Sequence, residues 1–424
     1  MAIEEKLLSR RRLLKTAAQT GALVLSPQVI PGSVLGKNGA LPASDRIVLG
    51  GIGIGGRGAQ VLASFLTQPE VQFVAIADVK AERREAVKKI ADQKYGNNDC
   101  AAYADFRELL ARSDIDAVLI ATGDRWHTLA SIIAAQAGKD MCCEKPCSMT
   151  IGESRALAQT IRRFGRVYQA GTQRRNIDNF VLAAELARSG KLGKLRTVHA
   201  NTLDPRTTHD WLPAEPQPPK ELLDWDMWLG PCPWRPYHSQ YVAGRWRGHF
   251  DFHGGGILEW GSHTVDLCQW ANTADNTAPV EYQPQGNQVI CRYANGVNLV
   301  MRDTGWLGLG TCSVRFEGDA GWIETGDTGK IALSDSLRAE YRAITERGTD
   351  PGKHVRDFLN CVKSRSAPRS NAGAACQAHI ACHAAYIAWQ LGRKLAWDPL
   401  KEEFLGDPEA NRMRSRAIRE PWRI

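Results

Sequence analysis

A chain that runs Ile47-Val-Leu-Gly-Gly-Ile-Gly-Ile-Gly-Gly-Arg-Gly58 has few folds open to it. An apolar run long enough for a buried parallel strand leads straight into Gly53-x-Gly55-x-x-Gly58. The first glycine makes a tight turn, the second lets backbone approach a pyrophosphate, and the third lets the next helix pack close to the strand. The spacing predicts that helix from about Ala59 to Thr67, its free N–H groups and positive dipole end aimed at phosphate. A second apolar run, Gln72 to Asp78, predicts the neighbouring strand and sets a carboxylate where an adenosine ribose can donate to it. A 2′-phosphate would be repelled there, so the pattern favours NAD over NADP. Lys80, Arg83 and Arg84, just past Asp78, could soften that discrimination, but they read as a solvated helix face. Glycine spacing alone is weak, and the order strand, turn, helix, strand, acid carries the assignment.

Ahead of this unit lies Ser9-Arg-Arg-Arg-Leu-Leu-Lys15, then a mildly apolar run from Thr16 to Leu25 and a Pro/Gly-containing stretch to Pro42. Residues 1–42 resemble a twin-arginine export signal and linker, with an apolar segment too short and weak to span a bilayer. An amphipathic N-terminal helix is the alternative, but the Ala/Thr/Gly run lacks helical apolar periodicity. No clean Ala-x-Ala triplet marks a cleavage site, and no later segment approaches an integral membrane span. The expected location is therefore periplasmic or otherwise extracytoplasmic. Twin-arginine export carries folded proteins, so a dinucleotide would have to be bound tightly before export and returned to its starting redox state each cycle.

The first domain is expected over residues 43–170. A charged helix from Ala81 to Tyr95 and a short one near Phe106 to Ala111 precede the strand Ile115–Thr122. Thr122-Gly-Asp-Arg-Trp-His127 reads as a loop at the carboxyl edge of the sheet, where ligands bind in doubly wound folds. A helix Leu129–Ala137 leads to the strand Asp140-Met-Cys-Cys-Glu-Lys-Pro146. Proline restricts the residue before it to extended geometry, which fixes Lys145 at a strand end facing the crevice. An amine there could donate to a substrate hydroxyl or lose its proton when desolvated.

From Gly193 the text changes: Leu195–Ala200, Gln288–Tyr293 and Val297–Arg302 alternate with the period of half-buried strands. An α+β domain with an open, mainly antiparallel sheet is expected over 171–400, with a charged C-terminal tail over 401–424. Pro205 to Phe252 reads as long loops covering a site; Trp211, Trp225, Trp228, Trp234 and Trp246 serve core packing more often than sugar contact. Glu259-x-x-x-His263-x-x-Asp266 falls on a predicted helix Leu258–Ala271 packed on the first domain, which puts Glu259 and His263 on one face. A histidine titrating near neutrality can take a proton from a carbinol while a carboxylate orients its ring. Asp266 is expected to hold His263 or a backbone group. His249 and His253 stand four apart, but no further ligand appears at a standard spacing, so no metal is expected and loop contacts to substrate are preferred.

The formal charge of +8 is partly contributed by the N-terminal segment and elsewhere is interspersed, which excludes a nucleic-acid-binding stripe. Eleven cysteines without a Cys-x-x-Cys read as small buried hydrophobes, although Cys142, Cys143 and Cys147 lie beside Lys145.

Taken together, Gly-x-Gly-x-x-Gly, Ala121-Thr-x-Asp-x-Trp-His127 and Glu144-Lys-Pro146 resemble the Gfo/Idh/MocA oxidoreductases. Gly171-Thr-Gln-Arg-Arg175, Trp225-Asp-Met-Trp-Leu-Gly-Pro231, Gly254–His263 and Leu391–Asp398 extend the likeness to its exported branch of Bacteroidetes and Planctomycetes type. The resemblance implies a Rossmann domain with NAD held by Gly53, Ile54, Gly55, Gly56, Arg57, Gly58 and Asp78. It adds Thr122, Trp126, His127, Glu144 and Lys145 at the crevice, with Gln173 and Arg174 from the following segment. It implies His263 as general base, Lys145 as hydroxyl donor or proton relay, and Glu259, where the family usually has Asp, as an orienting or substrate-binding carboxylate. The implied activity is oxidation or reduction of a secondary alcohol on a sugar, glycoside or cyclitol, in a dimer or tetramer. Redox-neutral glycoside cleavage is the alternative, although the glycosidase branch tends to lack the lysine present here as Lys145. A cofactor-holding binding protein without turnover would leave the Lys/His pair without purpose.

Overall fold

The computed structural model describes residues 41–207, 210–341, 343 and 346–424. The twin-arginine segment therefore lies, but for its last residues, outside the described residues. Residues 41–46 carry one 3-10 turn, Ala43–Asp45.

The first sheet forms because six short runs, rich in Ala, Val and Ile and nearly free of polar groups, can be buried on both faces only in a parallel arrangement. They are β1 Ile47–Ile52, β2 Val71–Ala77, β3 Ala101–Tyr103, β4 Ala117–Ile120, β5 Asp140–Cys143 and β6 Tyr168–Ala170. Their order is β3-β2-β1-β4-β5-β6, every neighbouring pair parallel. Strand order therefore reverses between β1 and β4, and the crevice beyond their carboxyl ends is where ligands bind in such sheets. The long helices that follow strands are α1 Gly56–Leu66, α2 Ala81–Tyr95, α3 Asp124–Gln136 and α4 Ile151–Phe164, and a short helix, Phe106–Leu110, follows β3 as expected. Helix α3 starts earlier than its apolar pattern suggests, because Asp124 in its first turn complements the free N–H groups there. Trp126 and His127, expected on a loop, are thus fixed on a helix.

The second sheet has nine strands: β7 Leu195–Asn201, β8 Glu281–Gln285, β9 Gln288–Arg292, β10 Asn298–Arg302, β11 Val314–Gly318, β12 Trp322–Thr325, β13 Ile331–Leu333, β14 Leu395–Asp398 and β15 Glu403–Phe404. Their order is β13-β12-β11-β7-β10-β9-β8-β14-β15. It is antiparallel except at its centre, where β7 and β10 run parallel. One face carries Val198, Ala200, Leu299, Met301 and Phe316 into the core. Helices α5 Asp178–Arg188 and α6 Gly256–Ala271 bury that face. Across the other face Ile290, Val300, His199, Arg315 and Glu324 align in register over five strands.

Helix α6 packs on β7 and on the long helix that later closes the molecule, and not broadly on the first sheet as expected. Only its first turns reach the crevice. That limited meeting places Glu259 and His263. Two later helices, α7 Gly352–Ser364 and α8 Ala372–Leu391, return to the first sheet, where Phe358 sets its ring edge-on to Phe65 at 5.9 Å. No helix among the described residues is long and apolar enough to cross a membrane.

Candidate active site

At the carboxyl end of β1 the chain turns through Gly53 with φ +67°, and a Cβ there would lie 2.3 Å from the Thr122 methyl carbon. Gly58 sits so close to Ala121 that a Cβ would approach its side chain to 2.7 Å, which lets α1 lie against the strand. At Gly56 the same test meets nothing within 4 Å, so the mouth of α1 is open where its first N–H groups lack intrahelical partners. This cradle is one end of a cavity of about 570 Å³ that extends past Asp78 at one side and to Lys145, Glu259 and His263 at the other. Shape and donor set fit a dinucleotide.

Asp78 stands just beyond β2, 8 % exposed, and accepts from the Lys80 N–H at 2.9 Å. Burial pushes its carboxyl above the usual range, against that hydrogen bond and the charges of Arg83, Lys80 and Arg84. Arg83 corrects the sequence reading: its guanidinium leans over Gly55, where a Cβ would meet Nη1 at 2.4 Å, and it lines the cavity instead of forming a solvated face. Ile54 is a second correction. It faces inward and packs with Val61, Leu62 and Phe73 between sheet and helix, because a strand-end side chain next to a tight turn points away from the cradle.

Arg57 reaches from α1 across the crevice to Glu144, Nε to Oε1 at 3.4 Å. Gln173 braces it, with its amide oxygen accepting from Arg57 Nη2 at 2.9 Å and its nitrogen donating to the Gly171 carbonyl at 2.7 Å. Arg174 is paired through two bonds with Asp327, at 2.8 and 2.7 Å. Trp126 borders the cavity, but its indole N–H donates to the Met227 carbonyl at 2.8 Å and its ring meets Phe106 and Trp422 edge-on. His127 Nδ1 is 2.8 Å from the Pro146 carbonyl oxygen, which ties α3 to the Lys145 turn. These two residues shape the wall by packing more than by presenting free polar groups.

At the reacting end, Lys145 Nζ donates to Glu259 Oε1 at 2.8 Å and to the Glu259 carbonyl at 2.9 Å. The carboxylate's other oxygen accepts from His253 Nε2 at 2.9 Å. Burial pushes the Glu259 carboxyl up, but the His253 hydrogen bond and the Lys145 ammonium outweigh it and hold it well below its usual range. Glu259 is therefore an anchored anion, and it does not orient His263 as the four-residue spacing suggests. Two donors have already captured it. His263 lines the same cavity, 5 % exposed, with Nδ1 buried and without a partner. Burial, then Arg174, Lys145 and Arg57, press its imidazole well below 6.5, so it stands neutral and able to accept a proton.

Asp266 also departs from expectation. It pairs with buried Arg175 at 2.7 Å instead of reaching His263, since Arg175 comes from the neighbouring segment with a charge that must be matched. His249 stacks on Trp211 at 5.2 Å, and neither it nor His253 is among the residues that line the cavity, where loop contacts to substrate were expected of them. His253 does meet Asp124 and Glu259 in a group whose nearest donor atoms lie within 4.8 Å of one another. All eleven cysteines are buried and unbridged, and burial raises the Cys143 thiol to about 12, which leaves it inert.

Trp228 and Trp246, weighed from sequence chiefly as core packing, line the cavity from the irregular 205–252 region, whereas Thr311, Cys312 and Asp327, from turns of the second sheet, carried no recognisable site signal. Asp124 lies within the Thr122–His127 motif, and its place opposite His253 follows only once the helix is known to begin there.

Fold and site together define a two-domain oxidoreductase built to hold a nicotinamide dinucleotide. Residues 47–172 match the family description "oxidoreductase family, NAD-binding Rossmann fold", and residues 207–424 match the C-terminal alpha/beta domain of the same family. The chain belongs to the Gfo/Idh/MocA oxidoreductase family. It is similar to a glycosyl hydrolase family 109 protein of Saccharopolyspora erythraea, 33% identical over 176 residues, covering 37% of this chain and 38% of that one. It is also similar to the myo-inositol 2-dehydrogenase of Thermotoga maritima, 28% identical over 158 residues, covering 37% and 45%. The match thus spans less than half the length of either relative. Among solved structures, myo-inositol 2-dehydrogenase from Lactobacillus plantarum shares the fold with a TM-score of 0.60 at 17% identity, over 83% of this chain and 99% of that one.

Proposed function

We propose that this protein oxidises or reduces a secondary alcohol on a sugar, glycoside or cyclitol, using a tightly held NAD. The observation that carries this reading is the convergence of the Lys145–Glu259 ion pair and the neutral His263 on the cavity that begins at the glycine cradle. The cradle, Arg57 and Asp78 would hold the dinucleotide, and the nicotinamide supplies or accepts the hydride at the carbinol carbon. Neutral His263 accepts the hydroxyl proton. Lys145, held by Glu259, donates to the same oxygen and stabilises the charge that develops on it. Buried Asp78 supports NAD over NADP, with Arg83 as the residue that opposes that choice. The export-like N-terminal segment supports retention of cofactor through turnover outside the cytoplasm. The open sheet face bearing Ile290 and Val300 supports a homo-oligomer, which light scattering would test.

A second reading, redox-neutral cleavage of a glycoside, is favoured by the glycosyl hydrolase family 109 relative. Incubating the purified protein with aryl glycosides and free sugars separates the two. Reduction of bound nucleotide by a free sugar supports the oxidoreductase reading, and release of aglycone without net reduction overturns it. Mass analysis of the nucleotide released on denaturation tests NAD against NADP.

A further inference from the structure

His253 sits behind the cavity wall and belongs to the loop that precedes α6, yet it is bonded into the reacting group. Its Nδ1 accepts from the Gly255 N–H at 3.2 Å. A ring nitrogen that accepts carries no proton, so the proton of the neutral imidazole resides on Nε2. That Nε2 lies 2.9 Å from Glu259 Oε2 and 3.9 Å from Asp124 Oδ2. Asp124 is itself occupied, accepting from the Gly254 N–H at 3.1 Å. The ring is only 5 % exposed, and Trp246 packs edge-on against it at 5.9 Å, so it has little room to turn.

We propose that His253 is a positioning residue for the reaction. Its fixed Nε2–H pins one oxygen of Glu259 so that the other oxygen presents Lys145 to the substrate hydroxyl. The chain of contacts runs His253, Glu259, Lys145, cavity, with the Glu259 carbonyl as a second acceptor for Lys145. Without His253, Glu259 keeps its charge but gains rotational freedom, and the Lys145 ammonium is left with the Glu259 carbonyl as its one fixed acceptor. A misplacement of that kind costs turnover more than binding, because Lys145 matters most when charge develops on the oxygen. The same tautomer argues against a cation shared by Asp124, His253 and Glu259: the nitrogen facing the two carboxylates already bears a proton, and Lys145 neutralises Glu259 from the other side.

This inference rests on the proposed alcohol chemistry, and two measurements keep them distinguishable. The first needs no activity. Long-range proton–nitrogen NMR of histidine-labelled protein, with His253 assigned by comparison with His253→Leu, should show the Nε2–H tautomer at neutral pH. An Nδ1–H tautomer or an imidazolium overturns the proposal, as does stoichiometric zinc or manganese in protein purified without chelator. The second uses the alcohol that reduces the bound nucleotide. His253→Leu should lower kcat at least about tenfold with KM within about twofold and full cofactor content, and His253→Gln, whose amide can still donate, should recover most of the loss. Equal losses in both variants, or a fall in cofactor content parallel to kcat, overturn it. Should no alcohol react while the tautomer is as stated, the alcohol reading fails and the geometry of His253 stands.

Discussion

In the proposed reaction Lys145 and His263 would serve one substrate oxygen with opposite duties, and their surroundings favour that division. Lys145 is ion-paired at 2.8 Å, whereas His263 is held neutral by burial and by the cations around it. Lys145→Ala and His263→Ala should each lower turnover at least about a hundredfold while leaving bound nucleotide intact, measured as kcat and as nucleotide per protein. The sign of the pH effect follows from the same environment. A lowered imidazole pKa keeps the proton-accepting form populated below pH 6.5, so kcat/KM should stay flat through that value and fall only at clearly lower pH. An acidic limb centred at or above 6.5 would remove His263 as the base. Spacing made Lys145, Glu259 and His263 legible in the sequence, since a strand-end lysine before proline and an i, i+4 pair have definite directions. The partner of Glu259 was not legible. His253 enters from a loop whose path depends on the Asp124 side chain, the Trp246 ring and the glycines before α6.

At the scale of elements, the lever that aims this chemistry is α6, and its anchor is ionic. Arg175, fully buried, binds Asp266 on α6 at 2.7 Å and Asp275 beyond its end at 2.7 Å. Burial pushes the Asp266 carboxyl up against the pull of Arg175, so the pair is costly to hold and costlier to break. Arg175→Met should therefore destabilise the protein by about 3–5 kcal/mol, read from the denaturant midpoint, because Asp266 is left charged and unmatched. The double variant Arg175→Met with Asp266→Leu should recover much of that loss. Element positions were readable where good helix formers run unbroken, as in α2, a charged stretch placed at Ala81–Tyr95 from sequence and found there. The mainly antiparallel sheet expected for the second domain is found, and its one parallel pair, β7 and β10, had no signal because strand direction is set by connection and not by alternation.

On the scale of the whole molecule, the first sheet is not closed by its own segment. Val355, Phe358 and Leu359 of α7 fill one side of its core. Ala372, Ala375 and Cys376 of α8 fill the other, together with Trp422. The C-terminal tail, charged and irregular in sequence, ends by setting Trp422 edge-on to Trp126 at 4.8 Å, one residue from His127. Trp422→Ala should cost about 3–5 kcal/mol through the cavity it leaves, visible as a lowered thermal midpoint. The stronger consequence concerns residues 47–172, which hold the glycine cradle, Asp78 and all six parallel strands. Cut out alone, this segment keeps every local signal for a dinucleotide-binding sheet yet loses the apolar cover supplied by α7, α8 and Trp422. It should retain far-ultraviolet helical signal, lose near-ultraviolet dichroism and bind a hydrophobic dye, as an incompletely packed state does. Adding a separate chain of residues 173–424 should restore sharp unfolding if that cover is what is missing. A segment 47–172 that unfolds cooperatively by itself would mean that the sheet is closed without the rest, and that the tail serves only the cavity wall at Trp126.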